Sequence, residues 1–219
     1  MALLDKIYLY RMIHIRNIPH ILKHGITHKD SANANPDYLA IGDGSLIEFR
    51  ETKKVLITNG NPPEFAIDEI VLGNFIPFYF GYRTPMLFVI QKGGNFVPQP
   101  TPPDDIIYIV SSVGKIMEHN LTFYFTNGHA TDGYTEFYDT SAIENVEKIV
   151  DFTATRAKYW KQENDLDLKR RKEAEFLVKE DLPVSCILGF ICYNQDAREK
   201  LLEFGINDKQ IVVNSKYYF

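Results

Sequence analysis

The strongest constraint on the fold is a series of short segments rich in aromatic and β-branched residues, each bounded by glycine or proline. Segments of this composition and length are typical of β-strands. They predict strands over residues 7–13, 75–80, 86–91, 106–110, 122–126, 175–178, 184–193 and 210–213. The chain shows no internal repeat at a period of about 20 to 50 residues, so a repeat architecture is not expected.

Helix signals lie between these segments. Asn17 can cap a helix over residues 18–24, and Gly25 suits the position after its last turn. Further helices are predicted over residues 45–53, 111–119 and 197–204, from a capping box at residue 141, and in parts of 153–173. Regular strand–helix–strand units are few. We therefore predict an α+β fold with a mainly antiparallel sheet, in a single domain of residues 1–219.

Net charge and cysteine usage limit the classes of function that this chain can have. The formal net charge is −5, which disfavours a protein that wraps duplex DNA but is compatible with an enzyme that holds a few nucleotides of single strand. Cys186 and Cys192 share one predicted strand and would lie ~20 Å apart, beyond disulfide reach. The sequence has no secretion signal and no apolar run long enough to span a membrane. We expect a cytoplasmic protein with free thiols and no membrane partner.

Several common functional motifs are absent from the sequence. His20, His24 and His28 have the spacing of ligands on one helix face, but Gly25 should end that helix first. No HExxH or paired CxxC pattern supports a metal site, so we predict no metal. GxGxxG, GxxxxGK[ST] and GxSxG do not occur. Apolar surroundings should raise the pKa of both thiols, which disfavours a cysteine nucleophile.

One carboxylate and two arginines remain as candidates. Glu175 begins an apolar segment directly after the basic run 169–172, where a helix-end charge paired with Arg171 is the alternative. Arg50 lies late in a predicted helix, where pairing with an acid four residues away is the alternative. Arg83 lies in an aromatic-rich turn, where it could clamp a phosphate or stack on a base.

Four ordered segments resemble the DarT family of DNA ADP-ribosyltransferase toxins, which bacteria encode with DarG antitoxins. They are residues 10–22 with Gly25, 41–55, 76–87 and 171–178. The resemblance implies an ADP-ribosyltransferase-like fold, in which a split antiparallel β-sheet core with surrounding short helices binds NAD. It also implies a toxin that modifies thymine or guanine of single-stranded DNA, with a DarG-type antitoxin as partner.

The same resemblance implies roles for individual residues. Glu175 matches the family's catalytic glutamate and Arg50 its catalytic arginine. Residues 33–53 resemble the element that covers NAD, and residues 121–172 resemble the substrate-recognition loop. The NAD-contacting residues are expected to be Arg11, Met12, Ile13, His20, His28, Arg50 and Arg83. The nucleic-acid contacts are expected to be Tyr134, Lys169, Arg170 and Arg171.

One segment departs from the family pattern. Arg11-Met12-Ile13 stands where the family usually has His-x-Thr, and His14 then matches a second family histidine. Arg11 could hold the nicotinamide ribose or a phosphate through charge-assisted hydrogen bonds. The departure leaves thymine and guanine both open as the target.

These residue types suit the implied chemistry. Cleavage of the nicotinamide–ribose bond builds positive charge on the sugar, which an adjacent carboxylate stabilises while it holds the 2′-hydroxyl. A guanidinium binds pyrophosphate and orients the base. Pairing blocks base edges in a duplex, so single strands should be preferred. Aromatic and basic residues that could contact the strand are Tyr134, Phe137, Tyr138, Lys158, Lys161 and the run 169–172, with the core as the alternative place for the aromatics.

Two other functions remain open at this stage. The first is an ADP-ribosyltransferase that acts on RNA or protein, which an exchange of substrates in one assay would distinguish. The second is a catalytically inactive module that binds NAD or nucleic acid. NAD would then raise the melting temperature without forming a product.

Overall fold

The structure is a computed structural model that describes residues 4–94, 97 and 99–219. The strands are β1 (Tyr8–His14), β2 (Lys54–Ile57), β3 (Asp68–Val71), β4 (Ile76–Tyr79), β5 (Ile106–Ser112), β6 (Phe123–Thr126), β7 (Phe137–Tyr138), β8 (Glu175–Val178), β9 (Gly189–Cys192) and β10 (Ile211–Val213). The helices are α1 (Ile18–His24), α2 (Gly44–Thr52), α3 (Pro85–Lys92), α4 (Val113–Glu118), α5 (Val146–Ile149), α6 (Phe152–Arg156), α7 (Leu168–Lys172) and α8 (Gln195–Glu203).

Eight of the strands form one sheet in the order β10-β9-β5-β1-β4-β8-β6-β7, and β2 and β3 form a separate ribbon. All pairs in the large sheet are antiparallel except β9 with β10. The predicted α+β fold with a mainly antiparallel sheet is confirmed.

The large sheet splits between two of its central strands. β1 and β5 pair along the whole of Tyr8–His14, whereas β1 and β4 share a single residue pair, Tyr10 with Tyr79, among the described residues. Beyond that pair the two strands diverge, so a gap opens in the middle of the sheet. The split that the family resemblance implied is therefore present.

The two faces of the sheet are covered differently because side chains alternate along each strand. One face carries the main apolar core, in which Leu9, Ile13 and Phe78 are fully buried. The other face carries an aromatic cluster around Tyr108, which is packed with Tyr10 and Met12. The cavity described below opens on this second face, beside the split.

Capping signals gave the best helix predictions. α1 occupies Ile18–His24 as predicted, and Gly25 follows it with a φ of 79°. The predicted side-chain cap from Asn17 is wrong, because its amide bonds to the backbone of Leu39 instead. The strand predicted over residues 86–91 is wrong, because this segment forms α3. The Thr84 hydroxyl accepts a hydrogen bond from the Leu87 N–H, and Pro85 fits the first turn. An apolar run of this length suits a buried helix as well as a strand.

Two other predicted elements differ from the structure. Residues 184–193 do not form one strand: a 3₁₀ turn, Val184–Cys186, is followed by β9, so the two cysteines lie on separate elements. Both thiols are free and buried, and burial raises the pKa of each to about 11. The capping box predicted at residue 141 corresponds to a 3₁₀ helix, Thr140–Asn145. Among the described residues, no helix combines the length and hydropathy needed to cross a bilayer.

Candidate active site

A cavity of about 440 Å³ lies where the sheet splits. Its volume is within the range of small-molecule sites. β1, β4, β8, α2 and α3 all contribute lining residues. Of the residues selected from the sequence, the cavity is lined by Arg11, Met12, Ile13, His20, His28, Arg50 and Glu175.

Glu175 is the first residue of β8 and is fully buried. Its Oε1 accepts hydrogen bonds from the Ala130 N–H at 2.9 Å and from Arg50 Nη1 at 3.2 Å. Arg50 Nη1 also lies 2.9 Å from Oε2, but Oε2 makes no hydrogen bond within the described chain. The alternative in which Glu175 pairs with Arg171 is wrong.

The backbone of Glu175 is fixed as well as its carboxylate. Its N–H donates to the Thr126 hydroxyl at 2.8 Å, and that hydroxyl donates to the Gly128 carbonyl at 2.6 Å. Thr126 is the last residue of β6 and is fully buried. The end of β6 and the loop 127–136 that follows it therefore hold the acid from both sides.

Arg50 reaches the acid from α2, a helix that Asp43 caps through the N–H groups of Ser45 and Leu46. The alternative pairing with an acid one helical turn away is wrong, because its partner is Glu175. The Arg50 side chain is 15% exposed, and its Nη2 is buried without a partner in the described residues. One donor of this guanidinium is thus free inside the cavity.

Arg11 spans the split in the sheet. Its Nη1 donates to the Pro77 carbonyl of β4 at 2.8 Å, and its Nε is buried without a described partner. Arg11 Nε, Arg50 Nη2 and Glu175 Oε2 therefore give the cavity two free donors and one free acceptor. Buried polar groups are normally hydrogen-bonded, so these three atoms indicate a polar ligand.

Two side chains anchor the segment that forms one wall of the cavity. Asp181 accepts hydrogen bonds from the His28 N–H and the Ser31 hydroxyl. The buried Asn17 amide bonds to both the N–H and the carbonyl of Leu39, each at 2.9 Å. Between these anchors, Ala34, Asn35 and Tyr38 line the cavity.

The histidines do not assemble a metal site in the described part of the chain. His28 Nε2 is 2.7 Å from the Gly73 carbonyl, and His20 packs against His24 with ring centroids 4.6 Å apart. No group of three His, Cys, Asp or Glu side chains there could hold an ion. His20 and His28 are therefore available only as walls of the cavity.

Arg83, expected to contact NAD, does not line the cavity. Its backbone adopts a φ of 51°, and its N–H donates to the Tyr108 hydroxyl at 3.1 Å. The guanidinium lies 4.3 Å from the centroid of the Phe219 ring. This arginine therefore packs on a protein ring outside the cavity, and its expected contact with a phosphate or a base stays a prediction.

The expected nucleic-acid residues fall into two groups. Tyr134 is 87% exposed on the loop 127–136, and Lys169 is exposed on α7. Arg170 and Arg171 are instead occupied by carboxylates: both bond to Asp167, and Arg171 also bonds to Asp151 and Asp165.

The other aromatics considered for the strand lie elsewhere. Phe137 and Tyr138 are buried in the core on β7, so the core alternative is correct for both. Lys158 and Lys161 are exposed between α6 and α7 but do not line the cavity. Lys172, the last residue of the run 169–172, is fully buried and bonds to the Tyr82 and Thr155 carbonyls, so the prediction that it contacts the strand is wrong.

Four contributors to the site had no signal in the sequence. Thr126 holds the Glu175 N–H through its hydroxyl, and Ala130 holds the Glu175 carboxylate through its backbone N–H. His129 Nε2 lies 4.0 Å from Glu175 Oε1. Tyr79, opposite Glu175 on β4, is partly buried, and desolvation together with Glu175 raises the pKa of its hydroxyl.

A second buried carboxylate lies two residues before Glu175. Burial raises the pKa of Glu173 above its usual value. Its Oε1 accepts a hydrogen bond from the Met86 N–H at the start of α3, at 3.2 Å. Glu173 thus caps the helix whose residues Met86 and Ile90 line the cavity.

Comparisons with known proteins agree with this geometry. The family model described as "DarT: ssDNA thymidine ADP-ribosyltransferase" matches residues 10–219. A DNA ADP-ribosyl transferase of Escherichia coli O127:H6 is 28% identical over 90% of this chain and 85% of its own length. A DNA ADP-ribosyl transferase–DNA ADP-ribosyl glycohydrolase fusion protein of Thermosipho africanus is 26% identical over 94% of this chain and 47% of its own length.

The fold is similar to that of solved structures of Thermus sp. 2.9 DarT. The complex with ADP-ribosylated ssDNA superposes with a TM-score of 0.79 at 26% identity, covering 97% of this chain and 96% of the other. The complex with NAD+ superposes with a TM-score of 0.75 at 25% identity, covering 98% of each chain.

Proposed function

The chain belongs to the DarT family of NAD-dependent DNA ADP-ribosyltransferases, and on that premise we propose that it transfers ADP-ribose to thymine in single-stranded DNA. We propose further that residues 1–219 act as one domain and as the toxin of a pair with a DarG-type antitoxin. The observation that carries the proposal is the buried Glu175–Arg50 pair beside the split in the sheet.

The three free polar atoms of the cavity fit a dinucleotide. Glu175 Oε2 accepts the 2′-hydroxyl of the nicotinamide ribose, while Oε1 stays fixed by Ala130 and Arg50. Arg50 Nη2 and Arg11 Nε donate to the pyrophosphate or to ribose oxygens. Support for NAD as the ligand comes from Thermus sp. 2.9 DarT, which was solved in complex with NAD+.

The transfer exchanges one C1′–nitrogen bond for another and moves one proton. The ribose C1′–nitrogen bond of NAD opens, and its electron pair leaves with nicotinamide. The buried carboxylate of Glu175 stabilises the positive charge that develops on the sugar. N3 is the ring nitrogen of thymidine that carries a proton, so N3 attacks C1′ and the proton passes to a nearby acceptor, for which Glu175 is placed. An arginine stays protonated in proteins, so Arg50 positions the substrate and does not accept the proton.

The strand is proposed to approach over the loop 127–136. Ala130 of this loop binds Glu175, and Tyr134 at its tip is 87% exposed. An exposed tyrosine on the loop that binds the acid suits stacking on a base next to the target. Lys169 is free to contact phosphate. Arg170 supports the loop indirectly, because its Nη1 bonds to the Asn127 side chain at 3.0 Å.

The antitoxin proposal is supported by the Thermosipho africanus relative. Its name joins a transferase to a glycohydrolase in one chain. A glycohydrolase that removes ADP-ribose from DNA would reverse the modification. We propose that a separate protein of this activity accompanies the present chain. Thymine rather than guanine is proposed as the target because the description of the matching family names thymidine.

The proposal is tested with four single-stranded oligonucleotides, each carrying one target base in an otherwise uniform sequence. Wild type with NAD should add one ADP-ribose to the thymine oligonucleotide, seen by mass spectrometry, and much less to its duplex. Glu175→Gln keeps the shape of the side chain and should lower the rate by at least ~1,000-fold. Glu163→Gln, an exposed acid outside the cavity, is the control and should match wild type.

Each other outcome has a definite meaning. Transfer to the guanine oligonucleotide alone would show that guanine, and not thymine, is the target base. Transfer to RNA or protein and not to DNA would overturn the proposed substrate. A melting temperature raised by NAD without any product would identify a binding module. Equal rates for Glu175→Gln and wild type would refute the role of the acid.

A further inference from the structure

We propose that a second cavity binds the base of a nucleotide adjacent to the modified one in the same DNA strand. This inference rests on the proposed function. The cavity has a volume of about 210 Å³ and lies at the start of β1; we call it the side cavity. It is lined by Lys6, Ile7, Tyr8, Tyr10, Phe80, Gly81, Tyr82, Glu147, Phe152 and Arg156.

The side cavity is a direct neighbour of the active site. Tyr10 of β1 and Tyr79 of β4 face each other as the one residue pair that these strands share among the described residues. Tyr10 lines the side cavity and Tyr79 lines the active-site cavity. Side chains directly opposite in antiparallel strands have Cβ atoms ~5 Å apart. On the other side of Tyr79, Glu175 lies opposite it on β8. A strand that brings one base to Glu175 therefore brings a neighbouring base within reach of the side cavity.

The walls of the side cavity suit a flat aromatic ligand. Tyr8, Tyr10 and Tyr82 all line it, and the Tyr10 and Tyr82 rings meet edge to face at 5.8 Å. Phe80 and Phe152 also meet edge to face at 5.8 Å. Tyr8 is 47% exposed, so its ring is accessible for stacking. Bases stack on aromatic side chains with little dependence on sequence.

The backbone around the side cavity is fixed by buried contacts. Gly81 lies so close to α6 that a Cβ there would stand 2.3 Å from the Thr155 carbonyl oxygen. The buried Lys172 ammonium donates to the Thr155 carbonyl at 3.2 Å and to the Tyr82 carbonyl at 3.4 Å. These bonds tie α6 to the segment that carries Tyr82, so the cavity keeps its shape before a ligand arrives.

The charges at the side cavity fit a nucleotide. Lys6 and Arg156 are exposed, and neither forms an ion pair within the described residues. The Arg156 guanidinium lies 5.6 Å from the centroid of the Phe152 ring. In a chain with a net charge of −5, two cations without an ion pair beside an aromatic cavity suit phosphates. Glu147 is the acid of this cavity. A carboxylate is an acceptor only, so Glu147 can bond to an N–H on the edge of the bound base.

The adenine of NAD is the competing occupant, and kinetics separate it from a DNA base. A site for adenine would make loss of Tyr8 raise the KM for NAD. A site for a flanking base would leave that KM unchanged and would raise the KM for the oligonucleotide. Tyr8 suits this test because it is half-exposed and lies outside the active-site cavity.

The test combines protein variants with oligonucleotides that lack one base. Positions on both sides of a single thymine are replaced, one at a time, by an abasic sugar. Affinity is measured by fluorescence anisotropy, and kcat/KM is measured at saturating NAD. The variants are Tyr8→Ala and Arg156→Gln. Phe65→Ala is the control, because Phe65 is 64% exposed and lines neither cavity.

For wild type, one abasic position should weaken binding about five- to tenfold, the lower part of the range for a stacked base. Tyr8→Ala should bind the intact oligonucleotide more weakly than wild type by about the same factor. The abasic position should not weaken the binding of Tyr8→Ala any further, because the two changes remove the same contact. Arg156→Gln should weaken binding to every oligonucleotide and reduce its salt dependence. Phe65→Ala should behave as wild type.

The inference is overturned if the losses from Tyr8→Ala and each abasic position simply multiply, or if Tyr8→Ala changes only the KM for NAD. Failure of the proposed function has a different signature, since wild type would then transfer nothing to any oligonucleotide. The anisotropy measurements do not depend on transfer, so they would still show whether the losses from Tyr8→Ala and from the abasic position multiply.

Discussion

Replacement of Thr126 by valine should damage both stability and catalysis, although Thr126 does not line the active-site cavity. The hydroxyl accepts the Glu175 N–H and donates to the Gly128 carbonyl. Valine has nearly the same shape, so packing is preserved while both backbone groups lose their partner. A buried group left without a hydrogen bond costs about 1–3 kcal/mol. Two such groups should lower the free energy of unfolding by about 3 kcal/mol.

The catalytic loss follows from the position of Glu175. Its carboxylate and its N–H are held by β6 and the loop 127–136, and valine releases the N–H side. A displacement of about 1 Å in a catalytic group can cost ~100-fold in rate, so we expect kcat for transfer to fall at least tenfold. Stability is measured by urea unfolding and kcat with saturating NAD and a thymine oligonucleotide.

Thr126→Ser is the matched control. Serine keeps the hydroxyl and loses one buried methyl, which costs ~1 kcal/mol. It should therefore retain most of the activity. Equal stability losses for valine and serine, or a kcat for Thr126→Val within twofold of wild type, would refute the bridging role of the hydroxyl.

Two further predictions concern stability. Gly25→Ala should lower the free energy of unfolding in urea by at least ~3 kcal/mol, because φ is 79° and the new Cβ would lie 2.1 Å from the Leu182 carbonyl oxygen. Gly205→Ala is the control: φ is 90° there, but no atom lies within 4 Å of the new Cβ, so the loss should be only ~1 kcal/mol. Burial lowers the pKa of Lys172 from 10.5 to about 8, so between these pH values the unfolded chain binds more protons and stability rises with pH. The stability of wild type relative to Lys172→Met should therefore increase by about 2 kcal/mol from pH 7.5 to 9.5, and a constant difference would contradict the lowered pKa.

Elements with local start and stop signals could be predicted from the sequence. Gly25 marks the end of α1, and the helix predicted before Gly205 is α8. β2, β3 and β7 were not predicted. β2 and β3 have four residues each and pair with each other across residues 58–67. β7 has two residues, and its place is set by β6. Such short strands carry too little local pattern to be distinguished from loops.

The acid and its partner arginine were selected from the sequence, whereas the contacts that hold them were not. Arg50 and Glu175 are 125 residues apart, and Ala130 contributes only a backbone N–H. No side-chain pattern reports a backbone donor. Arg171 was selected for its basic neighbours, but the sequence places two of its three carboxylate partners, Asp165 and Asp167, within six residues of it. Local acids therefore indicate which arginines in a basic run are already paired.

The departure at position 11 can be understood from the split in the sheet. β1 and β4 share one backbone pair among the described residues, so the strands lack a hydrogen-bonded ladder where the cavity opens. Arg11 Nη1 supplies a link across that gap to the Pro77 carbonyl, and Nε remains without a described partner. A guanidinium has enough donors to do both, whereas a neutral imidazole has a single N–H. An arginine at this position therefore joins the two halves of the sheet and still offers a donor to a ligand, which a histidine bonded to the same carbonyl could not do in its neutral form.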